Sequence, residues 1–363
     1  MRLLVQDMGM LAGLTVCCGT AAQSTVHSIG LAREVRLVDG NWTDDARPLT
    51  SQSVYDLASL TKLFTAVSVL QLADSGELSL QDDVGKRDDR FPMLQGTTIE
   101  DLMTYQAVLR SPQRIDAQPD AGSAEAQVFK TGRWHGTEPA KLYSDMNALV
   151  LKYLVERVSG MPYGEYLAQH VFMPCGMLET WCQVPADRLE DCLDYNYEHR
   201  VINGRYTVQT DAVPGLPHDP KARLLGREGK VLSGHAGLFS TAQDMVLFAQ
   251  GLLTGKLLKR ETLLRMGVNR TGRMGPPYRQ YLGLLVFSKS GDQRLSEVPG
   301  WMGERAFAIS GYTGNHFALD PDLGLFDIFL GNRCHNRLTT VQPEDAARQM
   351  GLDEHGAGRV CWP

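Results

Sequence analysis

Strand-like runs lie at both ends of this 363-residue chain and helical patterns fill its middle, which restricts it to folds whose sheet joins the two ends. Near the start, LAGLTVCCG and STVHSIGL are short apolar or β-branched runs parted by small polar residues, so residues 10–38 are expected to form paired strands. Near the end, RAFAISGYTGNHFALDPDLGLFDIFLGN alternates in a strand-like way around two turn signals, Gly311 to Asn315 and DPDLG. From Ser59 the apolar positions Leu60, Leu63, Phe64, Val67 and Leu70 recur at helical spacing, and Gly76 is placed to end the run. DMNALVLKYLVERVSG (145–160) and STAQDMVLFAQGLLTG (240–255) read as amphipathic helices, the first with an acidic start and a glycine stop, the second capped by Ser240 or Thr241. Residues 176–234 read as irregular. The expected fold is α/β (α+β): an antiparallel sheet flanked by helices, built from both chain ends, with an inserted mostly helical domain. The sheet domain is expected over 1–75 and 235–363, and the insert over 76–234.

With 43% hydrophobic and 21% charged residues the chain can bury a sizeable core. A net charge of −6 argues against nucleic acid as the main partner, because phosphate binding needs a concentrated basic surface. A small-molecule substrate is expected instead, with no nucleic acid and no membrane partner; the oligomeric state stays open. The seven cysteines are odd in number and scattered, no C-x-x-C occurs, and the nine histidines do not fall at ligand spacing beside them. Free thiols are the plain reading, and neither a metal site nor a cofactor is expected. The opening MRLLVQDMGMLAGLTVCC has the outline of a signal peptide, but Gln6 and Asp7 interrupt it and no run approaches the ~20 apolar residues of a spanning helix. The reading is cytoplasmic.

Ser59 and Lys62 stand three apart at a helix start, a spacing that places both on one face with Cβ atoms roughly 5–6 Å apart. Serine is a poor nucleophile until a neighbour takes its proton, and lysine can do so when desolvation or a nearby cation lowers its pKa. An ordinary helix can carry the same pair by chance. Two observations weigh against chance: Ser59 is the only serine with lysine three residues on, and no G-x-S-x-G, Walker, G-x-G-x-x-G or H-E-x-x-H sequence competes.

LASLTKLFTAVSVLQLADSGELSLQDDV resembles the first-motif region of the serine β-lactamase-like superfamily, which embraces class C β-lactamases, D-alanyl-D-alanine carboxypeptidases, D-aminopeptidases, family VIII esterases and some acyltransferases. LYSDMNALVLKYLVERVSGMPYGEYLAQHVFMPCGMLET, HDPKARLLG with SGHAGLFSTAQDMVLFAQ, and ISGYTGNHFALDPDLGLFDIFLGNRCHN are similar to later stretches of that superfamily, in order, across most of residues 10–340. The resemblance implies a β-lactamase/transpeptidase-like fold with Ser59 as the acylated nucleophile, Lys62 as its proton acceptor or tuning cation, and Tyr143 as the second-motif tyrosine. It implies an oxyanion hole from the backbone NH groups of Ser59 and Tyr312, and a substrate-binding role for Asp145, Ser310 and Gly311. Tyr143 has a second reading as a core aromatic. Asp145 could hold Lys62 charged or cap the helix that follows.

Two departures stand out. The third motif reads Ile309-Ser310-Gly311 where the superfamily usually has a cation first, which shifts the expectation from β-lactam hydrolysis toward a neutral acyl donor. Residues 105–116 replace a His-Thr-Ser-Gly-Leu turn with a basic and polar loop at the expected pocket mouth. His218 and His235 read as structural histidines rather than catalytic ones, Arg333 and Arg337 as surface cations or, alternatively, as the carboxylate contact that Ile309 cannot supply, and Trp301 as either a pocket wall or a packed indole. The expected activity is acyl-serine hydrolysis of an ester, amide or small peptide. An acyltransferase of the same fold and a non-catalytic penicillin-binding-type sensor are the alternatives.

Overall fold

The computed structural model describes residues 1–134, 143–226, 231–271, 281–290 and 296–342. Its main sheet has seven strands in the order Phe287–Ser288, Phe307–Gly311, Asn315–Asp320, Leu325–Gly331, Gly13–Thr20, Ser24–Val38 and Asn41–Pro48, all antiparallel. The two chain ends meet at its centre, where Leu14 pairs with Gly331 and Thr20 with Leu325. The expected antiparallel sheet built from both ends and flanked by helices is therefore the observed one. Both turn signals near the end lie between paired strands, as expected.

Helix Thr61–Asp74 carries apolar residues at the expected spacing, yet nearly its whole circumference is buried, including the polar Thr65 and Ser68. A helix buried all round must satisfy its polar side chains internally. Thr65 Oγ1 donates to the Gly234 carbonyl at 2.6 Å and Ser68 Oγ to the Phe64 carbonyl at 2.8 Å. Phe64 stacks on Phe248 of helix Ala242–Leu253, with centroids 4.3 Å apart, and Phe248 meets Phe317 of the sheet edge to face. Helix Asp145–Ser159 ends on left-handed Gly160. Thr241 caps helix Ala242–Leu253 by accepting from the Asp244 NH.

Residues 176–234 are more ordered than expected. Glu198–Ile202 and Arg205–Gln209 form a hairpin across Asn203-Gly204, both at positive φ, and Leu338–Gln342 adds to it in parallel. The Asn-Gly turn was the local signal for this hairpin. A further three-stranded sheet joins Val54–Asp56, Phe239–Thr241 and Thr180–Trp181, tying the segment before Ser59 to the one before helix Ala242–Leu253. The described cysteines carry free thiols, and no helix among the described residues is long and apolar enough to cross a membrane.

Candidate active site

Ser59 sits in a single 3-10 turn, Ala58–Leu60, that runs directly into helix Thr61–Asp74. The residue before it, Ala58, has φ +46°, a left-handed conformation that a side chain rarely adopts. Buried Asp56 holds that bend by accepting from the Ala58 NH at 2.9 Å and from the His218 NH at 2.7 Å. Behind the turn runs strand Phe307–Gly311. A Cβ on Gly311 would lie 2.8 Å from the Leu57 carbonyl oxygen, so only glycine lets the strand approach this closely.

Lys62 follows one helical turn later and is wholly buried. Its Nζ donates to Ser59 Oγ at 2.9 Å and to the His235 carbonyl at 3.2 Å, and pairs with Asp145 Oδ1 at 2.9 Å. The His235 carbonyl reaches it because Gly234, at φ +79°, passes against helix Asp145–Ser159, where a Cβ would meet Lys152 Cβ at 2.5 Å. The Tyr143 ring lies 5.0 Å from Lys62 Nζ, and its phenol hydrogen-bonds the Ser59 side chain. Tyr105 and Phe287 flank that ring, each with centroids 5.4 Å away. Burial first, and then the Asp145 charge, push the Tyr143 phenol well above its ordinary value, against the opposing bond from Ser59. The phenol is therefore protonated at rest.

Asp145 is the first residue of its helix, and the cap is its neighbour Ser144, which accepts from the Met146 NH at 3.2 Å. The carboxylate is thus left for cations: Lys62 on one oxygen and Lys221 on the other, at 2.7 Å. Burial alone would raise the Asp145 pKa, but Lys62, His235 and Lys221 hold it well below the usual carboxylate range. Lys221 also faces Asp219 at 3.7 Å, and Asp219 accepts from or pairs with His235 Nε2 at 2.9 Å. An alternating chain of charges, Lys62, Asp145, Lys221 and Asp219, therefore adjoins the serine, with His235 hydrogen-bonded to Asp219 at its end. Sequence reading missed Lys221 and Asp219; the Lys three residues after His218 in PHDPKAR was visible, but nothing local ties it to Asp145.

Two cavities reach this group. One of about 290 Å³ has Ser59, Tyr312, Arg200 and His218 among its walls. The other, about 460 Å³, lies between residues 108–116 and Tyr143, Ser144 and Lys221, so the expected pocket-mouth loop does line a pocket. Of the expected substrate-binding residues, Gly311 backs the serine turn, whereas Ser310 pairs with His316 and is not a wall of either cavity. Tyr312 is clamped: its hydroxyl donates to Glu198, its carbonyl accepts from Arg333 at 2.7 Å, and its ring stacks on His218.

Four sequence readings need correction. Arg333 is only 4% exposed and binds the carbonyls of Tyr312 and Thr339, because that chain reversal leaves carbonyls inside that need a donor. Arg337 is tied to Glu34 at 2.6 Å rather than solvated. His218 is a cavity wall as well as a structural residue. Trp301 is 56% exposed and lines neither cavity near Ser59. Ile309 lies in the main core, wholly buried. Ile309→Lys is therefore expected to place an ammonium in that core and lower the thermal unfolding midpoint by about 5 °C or more. A midpoint within a degree of the parent would refute this.

Two groups of described side chains bring metal-type donor atoms within 4.8 Å of one another: Asp145, Asp219 and His235, and Glu198, His218 and Cys334. The first is already neutralised by Lys62 and Lys221. In the second, Glu198 already accepts from Arg200, Tyr312 and Thr339. Burial alone would lower the His218 pKa, but the Cys334 sulfur and the Glu198 carboxylate raise it to about 10. The stability this interaction contributes is present in full below the ordinary histidine value and is lost as pH rises through the folded one. Between about pH 7 and pH 10 the unfolding midpoint is expected to fall more steeply in the parent than in His218→Gln; parallel curves would refute the assignment.

An antiparallel sheet closed by both chain ends, with a Ser-x-x-Lys turn set against strand Phe307–Gly311 near one edge, is the architecture of β-lactamase-like proteins. The family described as Beta-lactamase matches residues 29–349, and the chain belongs to that family. A candidate D-alanyl-D-alanine carboxypeptidase of Salmonella gallinarum is 26% identical over 317 residues, covering 79% of this chain and 71% of that protein. Among solved structures, unliganded simvastatin synthase (LovD) from Aspergillus terreus superposes with a TM-score of 0.66 at 18% identity, covering 97% of this chain and 94% of that one. EstCE1, a hydrolase with promiscuous acyltransferase activity, superposes with a TM-score of 0.66 at 17% identity, covering 91% of each chain. These two likenesses are of fold.

Proposed function

We propose that the protein is an acyl-serine hydrolase acting on an ester, amide or small peptide. The carrying observation is the buried Lys62 Nζ at 2.9 Å from Ser59 Oγ, with the Tyr143 phenol on the same hydroxyl. In the reactive form the Lys62–Tyr143 pair has given one proton to solvent, and Ser59 Oγ attacks the substrate carbonyl carbon while its own proton fills that place. That pair titrates as a unit rather than as two independent groups. The carbonyl oxygen, now negative, faces the backbone NH groups of Ser59 and Tyr312, the strand being held at the right distance by Gly311. The bond to the leaving group breaks, and the leaving atom takes a proton from Tyr143, which rests protonated. Water then attacks the acyl-enzyme and gives its proton to the same pair, which returns a proton to Ser59 Oγ as the acyl bond breaks and the acid leaves.

Turnover of a short-chain p-nitrophenyl ester, followed with intact mass beside Ser59→Ala, tests this. Ser59-dependent turnover supports the hydrolase. A stable Ser59 adduct without turnover, with the ester or with a fluorescent penicillin, favours a sensor. No Ser59-dependent reaction across ester and amide probes would overturn the reading. Transfer of the acyl group to a non-water acceptor is a second reading, supported by a second cavity walled by Tyr143 and Lys221 beside the one walled by Ser59, which offers an acceptor a place of its own. In a mixture of ester and alcohol, ester product exceeding free acid would favour it.

A further inference from the structure

We infer that the acyl group this site accepts carries a carboxylate, seated against Arg200 at the end of the cavity remote from Tyr143. The inference rests on the acyl-serine reading and adds the substrate class. Its first support is direction. The leaving atom must take its proton from the Lys62–Tyr143 side, so the leaving group departs toward the cavity between residues 108–116 and Tyr143. The retained acyl chain then extends the other way, into the cavity walled by Tyr312, Ile202 and Arg200.

The second support is charge. Arg200 lies on strand Glu198–Ile202, and its side chain is 34% exposed whereas its partner Glu198 is fully buried. Glu198 is one carboxylate facing several donors: Arg200, His218, and the hydroxyls of Tyr312 and Thr339. Arg200 and His218 thus share a single acid, and Arg333 lies over the same Tyr312 ring at 4.6 Å. Asp219, the acid in the cavity wall, is already engaged by His235 and Lys221. Arg200 Nε is buried without a hydrogen-bond partner. A second cavity of about 240 Å³ shares Arg200, His218 and Pro220 with the first, so the space continues past the guanidinium rather than ending at the serine. Apolar Ile202, Pro220 and Ala236 in the wall of the same cavity suit a short methylene chain. A guanidinium offers a planar fork that matches a carboxylate.

The neutral donor expected from Ile309 is thus replaced by an anionic one, recognised from a different element. Matched esters of equal chain length test it: the p-nitrophenyl monoester of adipate against p-nitrophenyl hexanoate. The parent is expected to prefer the adipate monoester by about 10-fold or more in kcat/KM, the ratio falling toward 1 in Arg200→Gln and partly recovering in Arg200→Lys. A parent ratio of 1 or below, or a ratio unchanged by Arg200→Gln in folded protein, overturns the inference. Calorimetry on Ser59→Ala with monomethyl adipate and methyl hexanoate separates it from the catalytic reading. Preferential binding of monomethyl adipate that needs Arg200 sustains the anion seat even if no ester is turned over, in which case the hydrolase reading falls alone. Equal binding of the two sinks the seat whatever the kinetics. Should Arg200→Gln fail to fold, rising salt should erode the parent's preference by several-fold while leaving hexanoate turnover steady, and a salt-independent ratio would refute the seat.

Discussion

Lys62→Met should lower kcat/KM by on the order of 10³-fold or more on any ester the parent hydrolyses, with the chain still folded. Methionine fills nearly the same volume, and Asp145 keeps Lys221 as a partner, so the buried carboxylate is not stranded. What disappears is the amine 2.9 Å from the serine hydroxyl. Tyr143→Phe should cost a similar factor, because Lys62 and Tyr143 act on one proton. The double variant should then be little worse than either single one, since parts of one unit are grossly non-additive. Independent, multiplying losses would show that the two residues serve separate steps. A loss under about 10-fold in Lys62→Met would remove Lys62 from the chemistry.

The second large effect is expected at Gly311. Its substitution by valine would set a branched side chain against the Leu57 carbonyl, where even a Cβ would lie at 2.8 Å, and against Ala58 Cβ at 3.4 Å. The strand must retreat, carrying the Tyr312 NH away from the serine turn. Loss of one oxyanion donor costs about 10²–10³-fold in kcat, so Gly311→Val should lose at least that much. KM should change far less, because the donor acts on charge that develops only in the transition state. A matched rise in KM with kcat intact would mean that the strand edge binds substrate and does not stabilise the oxyanion.

The serine and lysine were legible because their relation is local: three positions on one helix fix their proximity before any tertiary contact forms. The same holds for the strand runs at each end, whose pairing follows from alternation and turn residues. Arg200 and Lys221 were not legible, since each reaches the site from a segment with little periodicity, and a basic side chain in such a segment reads as solvated. Asp145 shows the limit well. Capping and ion pairing make equal demands on sequence, and only the position of Ser144 one residue earlier releases the carboxylate for Lys62, 83 positions away in the chain. Arg333 was misread for the same reason, its partners being main-chain carbonyls that leave no trace in side-chain pattern.

The meeting of Gly13–Thr20 with Leu325–Gly331 also bears on how the molecule is made. During synthesis the earliest long strand emerges with a hairpin partner on one flank and none on the other until some three hundred further residues have been translated. Its open flank offers a row of backbone groups to any passing extended chain. Assembly is therefore a late, non-local event, and chains cut short before Leu325 should be captured by chaperones or precipitate rather than persist as smaller folded pieces.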